Sequence, residues 1–218
     1  DLAALAVPET LTALIGARLD ALAPRDRSLV QQAAVLGLSF TLPALAAVAG
    51  ESEVDLETRL ASLVRRELLT VQADPRSPER GQYVFVQSLI REVAYNTLAK
   101  RERKAGHLAA ARHFEGLGTD ELAGALATHY LAAHANSPDG AEADAVATQA
   151  RIALRGAAQR AIELGSFAQA ATFYDQAHGI TEDPAERAEL LERSGEAADE
   201  ATKTEIADPG RILCVSRR

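Results

Sequence analysis

The sequence predicts a mainly α-helical chain with one short excursion into β-structure, and three observations predict it. Alanine supplies much of an apolar share of 47%, aromatic residues make up 4%, and Trp and Met are absent. Such a composition suits closely packed helices and leaves little material for a large sheet. Apolar positions recur at helical spacing along most of the 218 residues. The period changes only between Leu68 and Gln87, where two short alternating runs flank a stretch of turn-forming residues.

Pro8-Glu9-Thr10 opens a first helix to about Leu22, whose apolar stripe of Leu11, Leu14, Ile15, Leu19 and Leu22 is interrupted by Arg18. Pro24 and Asp26 open the next, from about Arg25 to Leu36, with Leu29, Val30, Ala33 and Leu36 inward; Gly37 ends it. A short helix over 42–48 is closed by Gly50, and another spans 53–66 with Val54, Leu56, Leu60, Leu63 and Val64 as apolar contacts. Residues 68–73 and 82–87 read as two strands around the turn-rich segment 74–81, and helices resume at 88–98 and 100–117. Three helices followed by a two-stranded hairpin is the order of a winged-helix domain, placed at 24–99.

From Asp120 onward the pattern is helical, with helices expected at 120–135, 142–164, 167–180 and 185–202. Asn136-Ser-Pro-Asp-Gly140 separates the first two, and Asp183-Pro184 starts the last. In the stretch from Gly165 to Ala177 a helix stops at the glycine, and Phe167, Ala170, Tyr174 and Ala177 then recur at spacings that share one helical face. This resembles the second helix of a tetratricopeptide repeat. Leu154, Ala157, Ala158 and Ala161 precede it as a first helix would. A related set, Leu191, Ser194, Gly195 and Ala198, recurs at an offset of 37 residues, near the roughly 34 of that repeat class. The expected repeat core is therefore Leu154, Ala158, Ala161, Gly165, Phe167, Ala170, Tyr174 and Ala177. Repeats of this kind build binding surfaces, which directs the search for function toward a protein or peptide partner.

The resulting organisation is a helical linker over 1–23, a winged-helix domain over 24–99, connecting helices over 100–141, tetratricopeptide-like repeats over 142–202, and an unassigned tail over 203–218. The absence of any Met, the initiator included, gives the chain the look of a fragment of a longer protein.

Net charge is −8, which argues against general nucleic-acid affinity. Residues 24–104 carry 12 Lys/Arg and 10 Asp/Glu, near neutrality, whereas 105–218 carry 10 Lys/Arg and 18 Asp/Glu, or −8. A single cysteine, Cys214, excludes an internal disulfide and a Cys-based zinc site. No apolar run approaches the ~20 residues of a membrane span, so the expectation is a cytoplasmic chain with no membrane partner.

Chemical constellations are sparse. His107 and His113 are six residues apart and His129 and His134 five, so neither pair has the i, i+4 spacing of a helical metal site; all are expected to be structural. No Ser/His/Asp arrangement stands out, no Gly-x4-Gly-Lys-Ser/Thr loop is present to cradle phosphates, and no enzymatic activity or bound cofactor is expected of this chain. The basic run Lys100-Arg-Glu-Arg-Lys104 has no interleaved aromatic residue and reads as a solvated or interdomain face; its positive charge opposes the dipole at a helix start, which predicts a helix beginning further back. In a winged helix the recognition element would be Glu53–Arg66, but Glu51, Glu53, Asp55 and Glu57 crowd the half that would meet phosphates. Arg59, Arg65 and Arg66 come late, so DNA is not the expected partner of this chain.

With these residues placed, the order resembles a known family. Val7-Pro-Glu-Thr-Leu-Thr-Ala-Leu-Ile-Gly-Ala-Arg-Leu-Asp20 is similar to the segment just after the nucleotide-binding core of STAND-type signalling ATPases, the large bacterial proteins that carry LuxR-type output or class III adenylyl cyclase domains. Arg66-Glu-Leu-Leu69, the run from Tyr83 to Leu98, and Arg101, Arg103 and His107 continue the resemblance, which covers about residues 7–200. It implies a regulatory middle segment and the start of a sensor arm, with ATP or ADP bound by a core outside this chain. The family's second strand usually ends Phe-basic-His, and a His there senses nucleotide in related switch ATPases. Here the positions are Phe85, Val86 and Gln87, so Gln87 is the one candidate nucleotide-sensing position, limited to neutral hydrogen bonding. A winged-helix transcription regulator and a small-ligand sensor in the repeat groove are the alternatives.

Overall fold

The computed structural model describes residues 9–74, 77 and 80–207. Among them are ten α-helices and three short strands, so the chain is mainly helical, as its composition predicts. It divides between His113 and Phe114 into two compact units.

The first unit runs α1 (Glu9–Asp20), α2 (Pro24–Leu36), β1 (Ser39–Phe40), α3 (Leu42–Ala49), α4 (Glu53–Arg65), β2 (Leu69–Val71), β3 (Tyr83–Phe85) and α5 (Ser88–Asn96), and takes in most of α6 (Lys100–Leu117). Local signals set the boundaries. Thr41 Oγ1 accepts from the Ala44 amide at 3.3 Å to start α3, and Gly50, at φ 66°, ends it by donating its amide to Ala46 O at 2.9 Å. Ser52 accepts from the Asp55 amide at 3.3 Å and donates to Asp55 Oδ2 at 2.6 Å, so one early carboxylate of α4 is part of its cap. The basic start of α6 is balanced in the same way: Glu102 Oε2 accepts from the Ala99 amide at 2.8 Å, and the helix begins at Lys100 rather than further back.

The sheet corrects the two-stranded expectation. β3 lies between β1 and β2 and pairs antiparallel with both: Ser39 with Val84 and Phe40 with Tyr83 on one side, Leu69 with Phe85, Thr70 with Val84 and Val71 with Tyr83 on the other. A two-residue strand shows no alternation, so β1 was invisible to period. Its value lies in Phe40, which stacks on Tyr83 with ring centres 5.8 Å apart and tilts against Phe85 at 6.1 Å.

Leu29, Val30 and Ala33 of α2, Leu45 of α3, Leu56, Leu60 and Leu63 of α4, Phe85 and Ile90 form one core, which Ile15 and Leu19 of α1 join. The segment read as a linker thus contributes a packed face over its helical part. At Gly106 of α6 an added Cβ would lie 3.1 Å from a Val35 methyl of α2, so glycine permits this close helix approach.

Leu60 has no exposed surface. Leu60→Ala should cost about 2–5 kcal/mol. Amide exchange on the variant should accelerate across α2–α5 and leave residues 123–200 as protected as before; undiminished protection in α2–α5 would show that α4 does not anchor this unit.

Candidate functional site

The second unit follows a 3-10 turn at Asp120–Leu122 with α7 (Ala123–Ala135), α8 (Ala141–Glu163), α9 (Phe167–Gly179) and α10 (Pro184–Ala207), each packed on the next. Asp183 caps α10, its Oδ2 accepting from the Glu186 amide at 2.8 Å with Pro184 in the first helical position. Two boundaries differ from expectation. Asp120–Leu122 forms the 3-10 turn rather than the first turn of an α-helix, and α10 runs on past Thr202 to Ala207. Residues 208–218, including Cys214 and the strand-like Ile212–Val215 run, lie outside the described residues.

The expected repeat core is brought together. Leu154, Ala158, Ala161, Ala170, Tyr174 and Ala177 are all buried, and Phe167 is half-buried. Gly165, at φ 70°, ends α8; its amide donates to Ile162 O at 2.9 Å and that of Ser166 to Ala161 O at 2.7 Å, the paired bonds of a left-handed helix stop. Phe173 was missed. It is also buried, and its ring tip would lie 3.4 Å from a Cβ added to Gly124 of α7, so α9 buries a second face beside the stripe read from sequence.

The register of the recurrence needs correction. Leu190, Ser194 and Ala197 are the buried positions of α10, whereas Leu191 is 59% exposed and Gly195 and Ala198 face outward. The buried triads Leu154/Ala158/Ala161 and Leu190/Ser194/Ala197 are related by 36 residues, not 37. The tandem Leu190-Leu191 and the abundance of alanine made both registers look apolar. Ser194, standing where α8 has Ala158, is satisfied: its hydroxyl donates to Asp175 Oδ1 at 2.5 Å and approaches Ala171 O at 3.3 Å.

An ionic seam joins α8 to α10. Arg155 Nη2 meets Glu189 Oε2 at 2.9 Å, Arg193 Nε meets Glu189 Oε1 at 3.1 Å, and Arg151 Nε lies 3.6 Å from Glu186 Oε2. Arg155 first, and Arg193 second, hold the Glu189 carboxyl below the usual carboxylate range by donating to it. Beside this seam lies a polar cleft of about 670 Å³ lined by His134, Asp144, Arg151, Glu182, Glu186 and Arg187 among others. Arg187 Nη1 is spent on the carbonyls of Thr181 (2.9 Å) and His178 (3.2 Å), and Arg151 Nη2 on Thr148 Oγ1 (3.2 Å). The lining carries Asp144, Glu182, Asp183 and Glu186 against Arg151 and Arg187, so the wall of the cleft is acidic in balance, with His134 Nδ1 buried and unpartnered.

Gln87 is exposed at the N-terminus of α5, where its side chain caps nothing and its carbonyl accepts from the Ile90 amide at 3.1 Å. His107 is buried, with Nε2 2.9 Å from Tyr95 Oη. The guanidinium groups of Arg91 and Arg103 lie 4.9 and 4.7 Å from the centre of the same tyrosine ring, so part of the basic run is folded onto α5. His129 stacks on Phe114 at 5.4 Å. On α4, Arg59 is turned back: Nη1 meets Glu51 at 2.7 Å, Nε meets Asp26 at 3.3 Å, and Nη2 donates to Arg25 O. Among the described residues no group of three or more His, Cys, Asp or Glu side chains is arranged to hold a metal, and no helix is long and apolar enough to cross a membrane.

Compared with protein-family models, with curated proteins and with solved structures, the chain matches none.

Tyr174→Ala should cost roughly 3–5 kcal/mol and weaken amide protection through 142–200 while 24–99 stays folded; unchanged protection would mean the ring is not core. In a carbon-detected NMR titration the Glu189 carboxyl should titrate below an ordinary glutamate, and Arg155→Ala should move its midpoint back up. A midpoint that Arg155→Ala leaves in place would remove the seam as its cause.

Proposed function

We propose that this chain is a regulatory and protein-interaction segment of a multidomain STAND-type signalling ATPase, without catalysis of its own. Residues 24–99 are its winged-helix coupling module and 142–202 its tetratricopeptide-like binding arm. The observation that carries the reading is the succession α2-β1-α3-α4-β2-β3, with β3 central in the sheet: helix, strand, helix, helix, then the two wing strands. The family resemblance over residues 7–200 and the 36-residue recurrence of buried positions in α8 and α10 add to it.

In this reading the winged helix packs on an ATPase core outside the chain and passes its ATP or ADP state to the arm, which binds a protein or peptide or another part of the same molecule, in the cytoplasm. The early carboxylates of α4 and the engagement of Arg59 with Glu51 and Asp26 weigh against the DNA-binding alternative. The polar cleft favours, as a second reading, a small polar ligand held in the arm.

Association of the chain with the ATPase core encoded beside it should differ between ADP and ATP; equal affinity in both would remove the coupling role. With duplex DNA only weak, salt-dissociable binding is expected at about 0.15 M salt. A sub-micromolar complex with sequence preference would put a transcription regulator in its place. The purified chain should turn over no ATP, and hydrolysis abolished by a substitution within it would overturn the non-catalytic assignment.

A further inference from the structure

Besides the polar cleft, the arm carries a smaller hollow of about 180 Å³ between the end of α8 and the α9–α10 pair. Its floor is apolar: Ile162 from α8, the half-buried Phe167 and the Tyr174 ring from α9, and Ala197 from α10. Glu196 and Glu200 stand on its α10 lip, one helical turn apart. Glu196 has no ionic partner among the described residues, and Glu200 is shared only with the exposed Lys203 at 3.1 Å, a surface pair worth little. Arg193, the cation among the described lining residues, is already held by Glu189. The surrounding charge has the same sign: residues 114–207 carry 17 Asp/Glu against 6 Lys/Arg, a net −11.

We propose that this hollow docks a basic amphipathic helix, which inserts an apolar side chain between Phe167 and Ala197 and sets lysines or arginines one turn apart against Glu196 and Glu200. The groove between two packed helices accepts a third by the same ridge-and-groove fit, with apolar anchors at helical spacing. The carboxylates at positions four apart select cations at the matching spacing, and the net charge of the unit steers such a partner in. A second copy of the chain is a poor occupant, because α10 would meet its own acidic face. The proposal rests on the partner-binding reading of the arm and assigns it a place and a chemistry.

The test uses the full chain and three labelled peptides: a leucine-striped helix flanked by lysines, its glutamate-flanked counterpart, and a scrambled peptide of the lysine composition. Fluorescence anisotropy should show saturable binding of the patterned lysine peptide alone. Glu196→Lys should weaken it by roughly tenfold, whereas Glu182→Lys, an equal change of net charge in the polar cleft, should not. Circular dichroism checks that both variants keep their helix content. Equal binding of the patterned and scrambled lysine peptides would reduce the effect to bulk charge and overturn the hollow. Weakening by Glu182→Lys in place of Glu196→Lys would move the site to the cleft, overturning the hollow while the partner-binding reading stands. Binding of neither lysine peptide would overturn the hollow and the basic partner together.

Discussion

Alanine sets the helix spacing from which the arm's properties follow. Ala150, Ala153, Ala157, Ala158 and Ala161 of α8 and Ala170, Ala171 and Ala177 of α9 are buried with side chains of one carbon, so neighbouring helices pack with little between them. The few large residues, Leu154, Phe173, Tyr174 and Leu190, fill what the alanines leave. A seam this thin has little room for charge. Among the described residues the unit's carboxylates lie at the surface or half-buried, where Arg151, Arg155 and Arg193 neutralise only part of them. Close packing inside and acidity outside are two results of one sequence choice.

The two units solve the problem of buried polarity differently. In the first, the partly buried Arg59 ties the start of α2 to the approach to α4 by satisfying Asp26, Glu51 and the Arg25 carbonyl with one guanidinium. Its planar fork suits several acceptors at once, which a lysine would not. The same engagement withdraws it from any role on the outer face of α4. In the second, Ser194 interrupts an otherwise apolar triad and is matched by Asp175, a residue without ordinary reason to face a helix seam.

Much of the fold was legible because its signals are local. Turn glycines at 50 and 165, the Asp183-Pro184 helix start and the 3.6-residue stripes all act within one or two turns, and elements fell close to where they indicate. What was missed depends on partners distant in sequence. β1 exists because Tyr83 and Val84 pair with it, and two residues carry no period of their own. Phe173 is buried because Gly124 leaves it room, a fact that neither residue announces. The one-residue slip in the α10 register came from a tandem of leucines that only packing separates. The polar cleft was illegible for the same reason, since its lining comes from α7, α8 and the α9–α10 junction.

Among the described residues of the arm each helix packs chiefly on its neighbours in sequence, and ion pairs also reach from α8 to α10. A linear stack of that kind behaves as a series of hinges. A small rotation at one seam is handed to the next and accumulates along the stack, where a closed core would resist it. Stacks in which each repeat contacts mainly its neighbours yield along their length more readily than across it.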